Sequence, residues 1–409
     1  MTVYNTDSDE QEERNKAAQS SALRDVDSRS PRQDDGAVWR HTVDGTAYAP
    51  APDALWRLAP TPIVANYSVL GLRLALYTNS PDIHRLMDDL FPKWPAGANA
   101  SSELSLKTFL HDPQGNRHDA GSAPPIARMQ REYLMISRGN SFGFADRVAG
   151  FATAFLESGI TADGIRAQVD FLECLTLFLA SRPRPVTLHA AAVIWKGRCI
   201  LLTGVSGAGK STLAYACYRR GLEIVAEDVV FAQPLDVVES VSPQGPLEDA
   251  GQGSTEAKSS SPYQEEGRGE VRLGPAGGPW IWGNAPYIHL MPGSERFFPE
   301  VAGMLPVRLF NGEAKLRIGI RERTDQVRSH TVWGVCSLAR TAGPGSMILT
   351  ADREHLRRSL TRFTGDPPFD QVITNTFASR LASGRAAHLV SGNDPAESVD
   401  LLQRWIESE

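Results

Sequence analysis

A stretch near the middle of the chain combines residue types that bind phosphate. Residues Cys199–Thr212 read CILLTGVSGAGKST. The apolar start predicts a buried strand, the small residues after it predict a tight loop, and the last three predict the first turn of a helix. The stretch meets every fixed position of the Walker A pattern, G-x-x-x-x-G-K-[ST], in the strand–loop–helix context that this pattern requires. The alternative interpretation is an ordinary glycine-rich turn before a helix.

Each residue type in this loop has a physical role in binding phosphate. Glycines let the backbone adopt positive φ and approach a phosphate with no Cβ in the way. Backbone N–H groups then converge on the β-phosphate at the positive end of the helix dipole. Lys210 can reach the β- and γ-phosphates, and the Ser211 hydroxyl is placed to bind Mg²⁺. The residues expected to bind the nucleotide triphosphate are Gly204, Val205, Ser206, Gly207, Ala208, Gly209, Lys210, Ser211 and Thr212.

Two carboxylates follow the next predicted strand. Glu223–Ala226 is a short apolar run, and Glu227 and Asp228 come directly after it. A carboxylate at this position can bind Mg²⁺, directly or through water, or accept a proton from an attacking hydroxyl. The alternative is an acid pair that caps a turn. We expect Glu227 and Asp228 to be catalytic together with Lys210, and Asp228 to share the metal ion with Ser211.

A histidine precedes the loop by one predicted hairpin. His189 is the only strongly polar group in the apolar run LHAAAV. A histidine in such a run often serves as a core residue whose hydrogen bonds are satisfied. Its place one hairpin before the loop would also let it lie near the phosphate end of the site, and we expect His189 to be catalytic.

These segments, taken together, resemble the C-terminal catalytic domain of HPr kinase/phosphorylase. The resemblance covers His189–Phe231, with an upstream histidine, a Walker A loop, a helix ending in Arg-Arg-Gly and a carboxylate pair in that order. It implies ATP- and Mg²⁺-dependent phosphorylation of a Ser or Thr hydroxyl on a protein or peptide. It also implies that Asp228 is the base or a metal ligand, that His189 assists near the reacting phosphate, and that Ser211 binds Mg²⁺.

The chain differs from that family at informative positions. The carboxylate pair is Glu-Asp instead of Asp-Asp, and Thr212 follows Lys-Ser where true HPr kinases usually have Glu. The family segment Glu-Val-Arg-Gly-Leu-Gly is matched only by Glu270-Val271-Arg272. We therefore expect a divergent member whose acceptor is not HPr. Since HPr kinases form closed oligomers, a homo-oligomer is also compatible with the resemblance.

Two other functions stay open. A small-molecule hydroxyl kinase is one, because adenylylsulfate kinases carry a similar loop, although they are shorter and have no Leu-His hairpin before it. A nucleotide-binding ATPase that acts as a switch or scaffold without a phosphoacceptor is the other. The sequence has no Leu-Ser-Gly-Gly-Gln signature of an ABC ATPase and no Asn-Lys-x-Asp motif of a guanine-binding protein.

The composition predicts how the chain is organised. Residues 1–37 are polar and charged and predict a disordered leader. Residues 38–182 predict an N-terminal α+β domain that ends at a proline-rich breaker. Residues 183–409 predict an α/β P-loop domain of the HPr-kinase type, a mixed sheet with flanking helices. Within it, residues 234–279 are rich in Gly, Ser, Pro and Glu and predict a flexible insertion.

Hydrophobic patterning predicts the main elements. Apolar alternation favours one strand over Ile63–Leu76 and another over Leu188–Ile194. A turn signal predicts a hairpin of Leu104–His111 with the segment after it. Apolar residues three or four apart predict a helix over Ile165–Leu179, and Ser80-Pro81-Asp82 predicts a helix start. Further helices are expected over Ser211–Arg220, Ala351–Leu360, Asp366–Leu381 and Ala396–Glu407.

Charge and cysteine usage limit the classes of partner and the cellular compartment that we expect. The net charge of −6 at pH 7 argues against a general nucleic-acid binder, because neutralising phosphates needs a basic face. No apolar run approaches the length that crosses a bilayer, and the N-terminus has no signal-peptide pattern. The four widely spaced cysteines favour buried thiols in a reduced cytosol over a disulfide framework. We expect a cytoplasmic protein that binds neither nucleic acid nor membrane.

Overall fold

The chain combines β-sheets with packed helices in a mixed α/β architecture. The structure, a computed structural model, describes residues 60–95, 103–111, 124–130, 132–182, 186–233, 280–320, 329–341, 343–361 and 371–408. All of these belong to one unit, Pro60–Glu409. The predicted leader and the predicted insertion lie outside the described residues. Among the described residues, no helix has the length and apolar character needed to span a membrane.

The first half of the described chain builds a seven-stranded sheet from β1 (Ile63–Val69), β2 (Leu72–Thr78), β3 (Glu103–His111), β4 (Ile126–Gln130), β5 (Tyr133–Arg138), β6 (Ser141–Asp146) and β7 (Phe151–Glu157). The strand order is β1-β2-β3-β7-β6-β5-β4. Strands β2, β3 and β7 run parallel in its centre, and the outer pairs are antiparallel. Because a parallel pair needs a crossover, helix α1 (Pro81–Leu90) connects β2 to β3.

A helical layer covers one face of this sheet. It comprises α2 (Ser158–Ala162), α3 (Gly164–Arg166), a π-helical turn (Ala167–Leu172) and α4 (Glu173–Ala180). The predicted helix over 165–179 is therefore confirmed, with a π-helical turn inside it. The layer packs closely because Gly143 has no side chain: a Cβ there would lie 2.9 Å from Leu175.

Three local predictions need correction. Ile63–Leu76 is not one strand, because Leu70 and Gly71 adopt positive φ (46° and 80°) and turn the chain into the β1–β2 hairpin. The predicted hairpin after Leu104–His111 is wrong, because β3 pairs with β2 and β7, parallel to both. Leu188–Ile194 is not one strand either: the N–H of Ala190 donates to the carbonyl of Leu188 at 3.1 Å, and this tight turn breaks it.

The second half builds a nine-stranded sheet and a small sheet of three strands beside it. The strands of the large sheet are β8 (Val186–His189), β9 (Ala191–Trp195), β10 (Arg198–Thr203), β11 (Glu223–Ala226), β12 (Val229–Gln233), β13 (Trp280–Gly283), β17 (Ser329–Arg340), β18 (Met347–Thr350) and β19 (Ala386–Ser391). The small sheet contains β14 (Tyr287–Leu290), β15 (Val307–Arg308) and β16 (Ala314–Gly319).

Strand β17 joins the parts of the large sheet. Its first residues pair antiparallel with β13, and the rest of it lies between β10 and β19, parallel to both. Helices α5 (Lys210–Arg219) and α8 (Pro395–Glu407) share a hydrophobic core on one face of the sheet. Helices α6 (Arg353–Thr361) and α7 (Gln371–Ser383) share a core on the other face. The parallel strand β10, which leads into the Walker A loop, is thus covered on both sides.

The two halves of the chain also share contacts. Phe231 of β12 belongs to the core under the first sheet, and Trp282 and Tyr287 pack against that core. Arg317 of β16 donates to Oε1 of Gln168, in the π-helical turn, at 2.8 Å, and Nδ2 of Asn284 donates to Glu173 at 3.2 Å. The predicted division into domains 38–182 and 183–409 stays a prediction.

Gly283→Ala is expected to destabilise the protein by about 3 kcal/mol. An added Cβ would lie 2.1 Å from the carbonyl oxygen of Val225 and 2.7 Å from the Cβ of Ala226, so backbone would have to move. Gly159→Ala is a matched control, because nothing lies within 4 Å of the new methyl group. The control should raise stability by up to about 1 kcal/mol, as alanine favours helix. Urea unfolding midpoints would measure both; equal midpoints would contradict the expectation.

Candidate functional site

The Walker A stretch forms the predicted strand, loop and helix. Strand β10 ends at Thr203 and α5 begins at Lys210. Gly204, Gly207 and Gly209 all adopt positive φ, at 155°, 80° and 99°. A Cβ on Gly204 would lie 2.8 Å from the carbonyl oxygen of Leu338, so only glycine fits at the start of the loop.

Lys210 lies inside this loop. Its side chain is buried, and its Nζ donates to the carbonyl oxygen of Gly204 at 3.0 Å. Burial lowers the pKa of Lys210, and the nearby charges of Asp228 and Glu227 oppose that shift. The ammonium group is therefore within electrostatic reach of both predicted carboxylates.

Glu227 connects the loop to the opposite wall. It is only 7% exposed. The hydroxyl of Ser211 donates to its Oε1 at 2.5 Å, and Nδ1 of His289 lies 3.4 Å from its Oε2. One buried carboxylate thus contacts the residue predicted to bind Mg²⁺ and a histidine of the small sheet.

Asp228 contacts His189. Nδ1 of His189 lies 3.1 Å from Oδ1 of Asp228. The break at Ala190 produces this contact, because β8 pairs with β12 and places His189 opposite Val229, next to Asp228. Burial lowers the pKa of His189, and the charge of Asp228 opposes the shift. Lowering the pKa favours the neutral imidazole, which can take up a proton.

Lys210, Ser211, His189 and Asp228 face one cleft of about 900 Å³. The loop forms one wall, and the turn after β14 and the start of β16 form the other. The residues that line it are His189, Gly204, Val205, Ser206, Gly207, Gly209, Lys210, Ser211, Thr212, Asp228, His289, Met291, Pro292, Gly293, Ser294, Arg296, Phe297, Asn311, Glu313, Lys315, Arg340 and Ser359. The structure therefore gathers the predicted residues except Ala208 and Glu227, which are buried behind the cleft wall.

Among the lining residues that were not predicted from the sequence, four have basic side chains. Arg340, at the end of β17, donates to Oγ1 of Thr212 at 3.4 Å. Lys315 forms an ion pair with Glu313 at 3.0 Å and lowers the pKa of that carboxyl. Arg296 and His289 lie in and just before the turn after β14. Three of the four are cations, so the cleft suits an anionic ligand.

The residues present fit a nucleotide with Mg²⁺. No group of three His, Cys, Asp or Glu side chains in the described part of the chain could hold a metal ion alone. Mg²⁺ usually takes one or two protein oxygens and completes its shell with water and substrate phosphates. The oxygen atoms of Ser211 and Asp228, both lining the cleft beside the loop, are donors of that kind.

Comparisons with known proteins identify no family for this chain. No protein-family model matches the chain, and no match was found among the curated proteins.

Proposed function

We propose that the chain is an ATP- and Mg²⁺-dependent kinase that phosphorylates a Ser or Thr hydroxyl on a protein or peptide, with a P-loop domain of the HPr-kinase type. The observation that carries the proposal is the pair of Asp228 and His189, 3.1 Å apart, in the same cleft as Lys210 and Ser211. A phosphate-binding loop alone holds a nucleotide. A carboxylate–imidazole pair beside it adds a group that can receive the proton of an acceptor.

The nucleotide phosphates would lie on the N–H groups of residues 204–212, with Lys210 against the β- and γ-phosphates. Ser211 and Asp228 would hold Mg²⁺, which when bound offsets charge on the phosphates. Arg340, beside the loop, and Lys315, on the wall that faces it, add positive charge to the cleft. Such fixed charges stabilise a transferring phosphoryl group without having to reorganise during the reaction.

The transfer itself needs an acceptor hydroxyl held in line with the γ-phosphorus. Its oxygen forms a bond to phosphorus while the bond to the bridging oxygen breaks and ADP leaves. The hydroxyl proton goes to Asp228, and the neutral imidazole of His189 can receive it in turn. About half of the Asp228 side chain is exposed, so an acceptor has access to it.

A phosphotransfer assay tests the proposal. The full chain is incubated with γ-labelled ATP, Mg²⁺ and a library of peptides that contain Ser or Thr, including peptides encoded beside its gene. Each peptide is paired with a matched version in which Ala replaces the hydroxyl residue. We expect label on the hydroxyl peptides and none on their Ala partners.

Two results would contradict the kinase proposal. Release of labelled inorganic phosphate with no labelled peptide would favour the ATPase switch. Transfer to a small metabolite hydroxyl, with every peptide unlabelled, would favour the small-molecule kinase.

A further inference from the structure

His289 reaches the loop through Glu227. The two oxygens of the Glu227 carboxylate serve different elements: Oε1 accepts the Ser211 hydroxyl, and Oε2 faces Nδ1 of His289. Ser211 belongs to α5, whereas His289 belongs to β14 of the small sheet. A single buried carboxylate therefore links the loop to a separate wall of the cleft.

The position of His289 is fixed by its strand. In the β14–β16 pair His289 lies opposite Arg317. The guanidinium of Arg317 stacks on the ring of Tyr287, 3.4 Å from its centre, and donates to Gln168. The strand pair that carries the imidazole is thus anchored to the π-helical turn by a residue directly opposite His289.

The contact assigns a tautomer to His289. A carboxylate oxygen only accepts hydrogen bonds, so Nδ1 carries the proton that faces Glu227. In the neutral ring, Nε2 is then an acceptor. Among the described residues this buried nitrogen has no hydrogen-bond partner. The protein contact of the imidazole is therefore made through Nδ1.

The orientation of Ser211 depends on this arrangement. A serine hydroxyl has one hydrogen and two lone pairs. While its hydrogen is given to Oε1 of Glu227, its lone pairs are available to a cation in the cleft. If Glu227 rotated, the hydrogen could turn toward the cleft, where it would repel a cation.

We propose that His289 is a positioning residue for the magnesium–nucleotide site, which acts by holding Glu227 so that the lone pairs of Ser211 face the cation. This inference rests on the proposed function, because it assumes that Mg²⁺ and ATP bind in the cleft. Residues that orient a metal ligand in this way commonly change metal affinity when they are replaced.

Three variants of the full chain separate the roles of the two ring nitrogens. Asparagine places an amide N–H near the position of Nδ1, and glutamine reaches the position of Nε2. The readout is the Mg²⁺ concentration that half-saturates the fluorescence change of a bound ATP analogue. His289→Ala is expected to raise that concentration by about 10- to 100-fold. His289→Asn should return it to near the wild-type value, and His289→Gln should not.

Three controls support the measurement. His388→Asn changes a histidine outside the cleft, whose Nδ1 lies 2.8 Å from the Ser337 hydroxyl, and should leave the Mg²⁺ requirement unchanged. Thermal unfolding of each variant shows that it is folded. Binding of the analogue without Mg²⁺ should be equal in all variants, because the loop and Lys210 are intact.

Distinct results would overturn the inference. An unchanged Mg²⁺ requirement in His289→Ala removes the positioning role. Rescue by glutamine and not by asparagine would show that Nε2 contacts the ligand directly. A wild-type chain that binds the analogue tightly with no effect of Mg²⁺ overturns this inference while leaving nucleotide binding intact, and one that does not bind the analogue at all overturns the proposed function as well.

Discussion

Replacing Lys210 with alanine is expected to weaken ATP binding by about 100-fold and to abolish ATP-dependent activity. The Nζ atom is buried within the loop, 3.0 Å from the carbonyl oxygen of Gly204. It is therefore already desolvated at the place where the phosphates would bind. Without it, the negative charges of the nucleotide would face Asp228 and Glu227 with less compensation. Titration with a fluorescent ATP analogue measures the loss.

Lys196→Ala is the matched control for this variant. Lys196 lies in the β9–β10 turn, where its Nζ pairs with Glu407 at 2.7 Å, outside the cleft. Since exposed ion pairs contribute little stability, this variant should bind ATP like the wild type. If ATP-dependent activity survives in Lys210→Ala, the interpretation of residues 204–212 as a nucleotide site is wrong.

Asp228→Asn is expected to keep ATP binding and to lower phosphoryl transfer by about 100- to 10,000-fold. The amide is nearly the same size as the carboxylate, so the loop and Lys210 should stay in place. It cannot accept the proton of an attacking hydroxyl. The substitution also removes the negative charge of Asp228, whose Oδ1 lies 3.1 Å from Nδ1 of His189. ATP affinity from the analogue titration and the rate of labelled peptide formation are measured on the same sample.

Asp400→Asn controls for loss of a carboxylate on the surface. Asp400 pairs with Arg220 at 3.3 Å, with both side chains about half exposed and neither lining the cleft. The control should retain wild-type transfer and binding. Full transfer activity in Asp228→Asn would show that Asp228 is not catalytic, and it would favour the alternative in which Glu227 and Asp228 only cap a turn.

Local residue patterns were sufficient to predict the structure of the Walker A loop. The glycines, the lysine and the apolar run before them are signals within one short stretch, and they predicted the strand, loop and helix start, although β10 itself pairs with the distant strand β17. The same holds for α1, where the predicted cap is observed: the N–H of Ile83 donates to the Ser80 hydroxyl at 3.4 Å. The carboxylate pair after β11 was also placed correctly, because a short apolar strand ends directly before it.

The features that were not predicted depend on pairing between strands that are distant in the sequence. His289 and Glu227 are 62 residues apart, and no local pattern indicates that they meet. Strand β17 was missed although it holds the large sheet together, since its neighbours β10 and β19 are remote in sequence. The strand break at Ala190 was missed because an apolar run looks the same whether it stays in one strand or turns between two.

The contacts between the two halves of the chain determine how the protein could be divided. Arg317, which lies opposite His289 in the β14–β16 pair, donates a hydrogen bond to Gln168 in the π-helical turn of the first half. Phe231 fills a core that the first half otherwise builds. A fragment that starts at Val186 would carry the whole cleft but would present this aromatic surface to water, where such patches promote aggregation. The proline-rich junction at 183–185 is a break in the sequence pattern. The hydrogen bond of Arg317 and the packing of Phe231 nevertheless connect the residues before it to the residues after it.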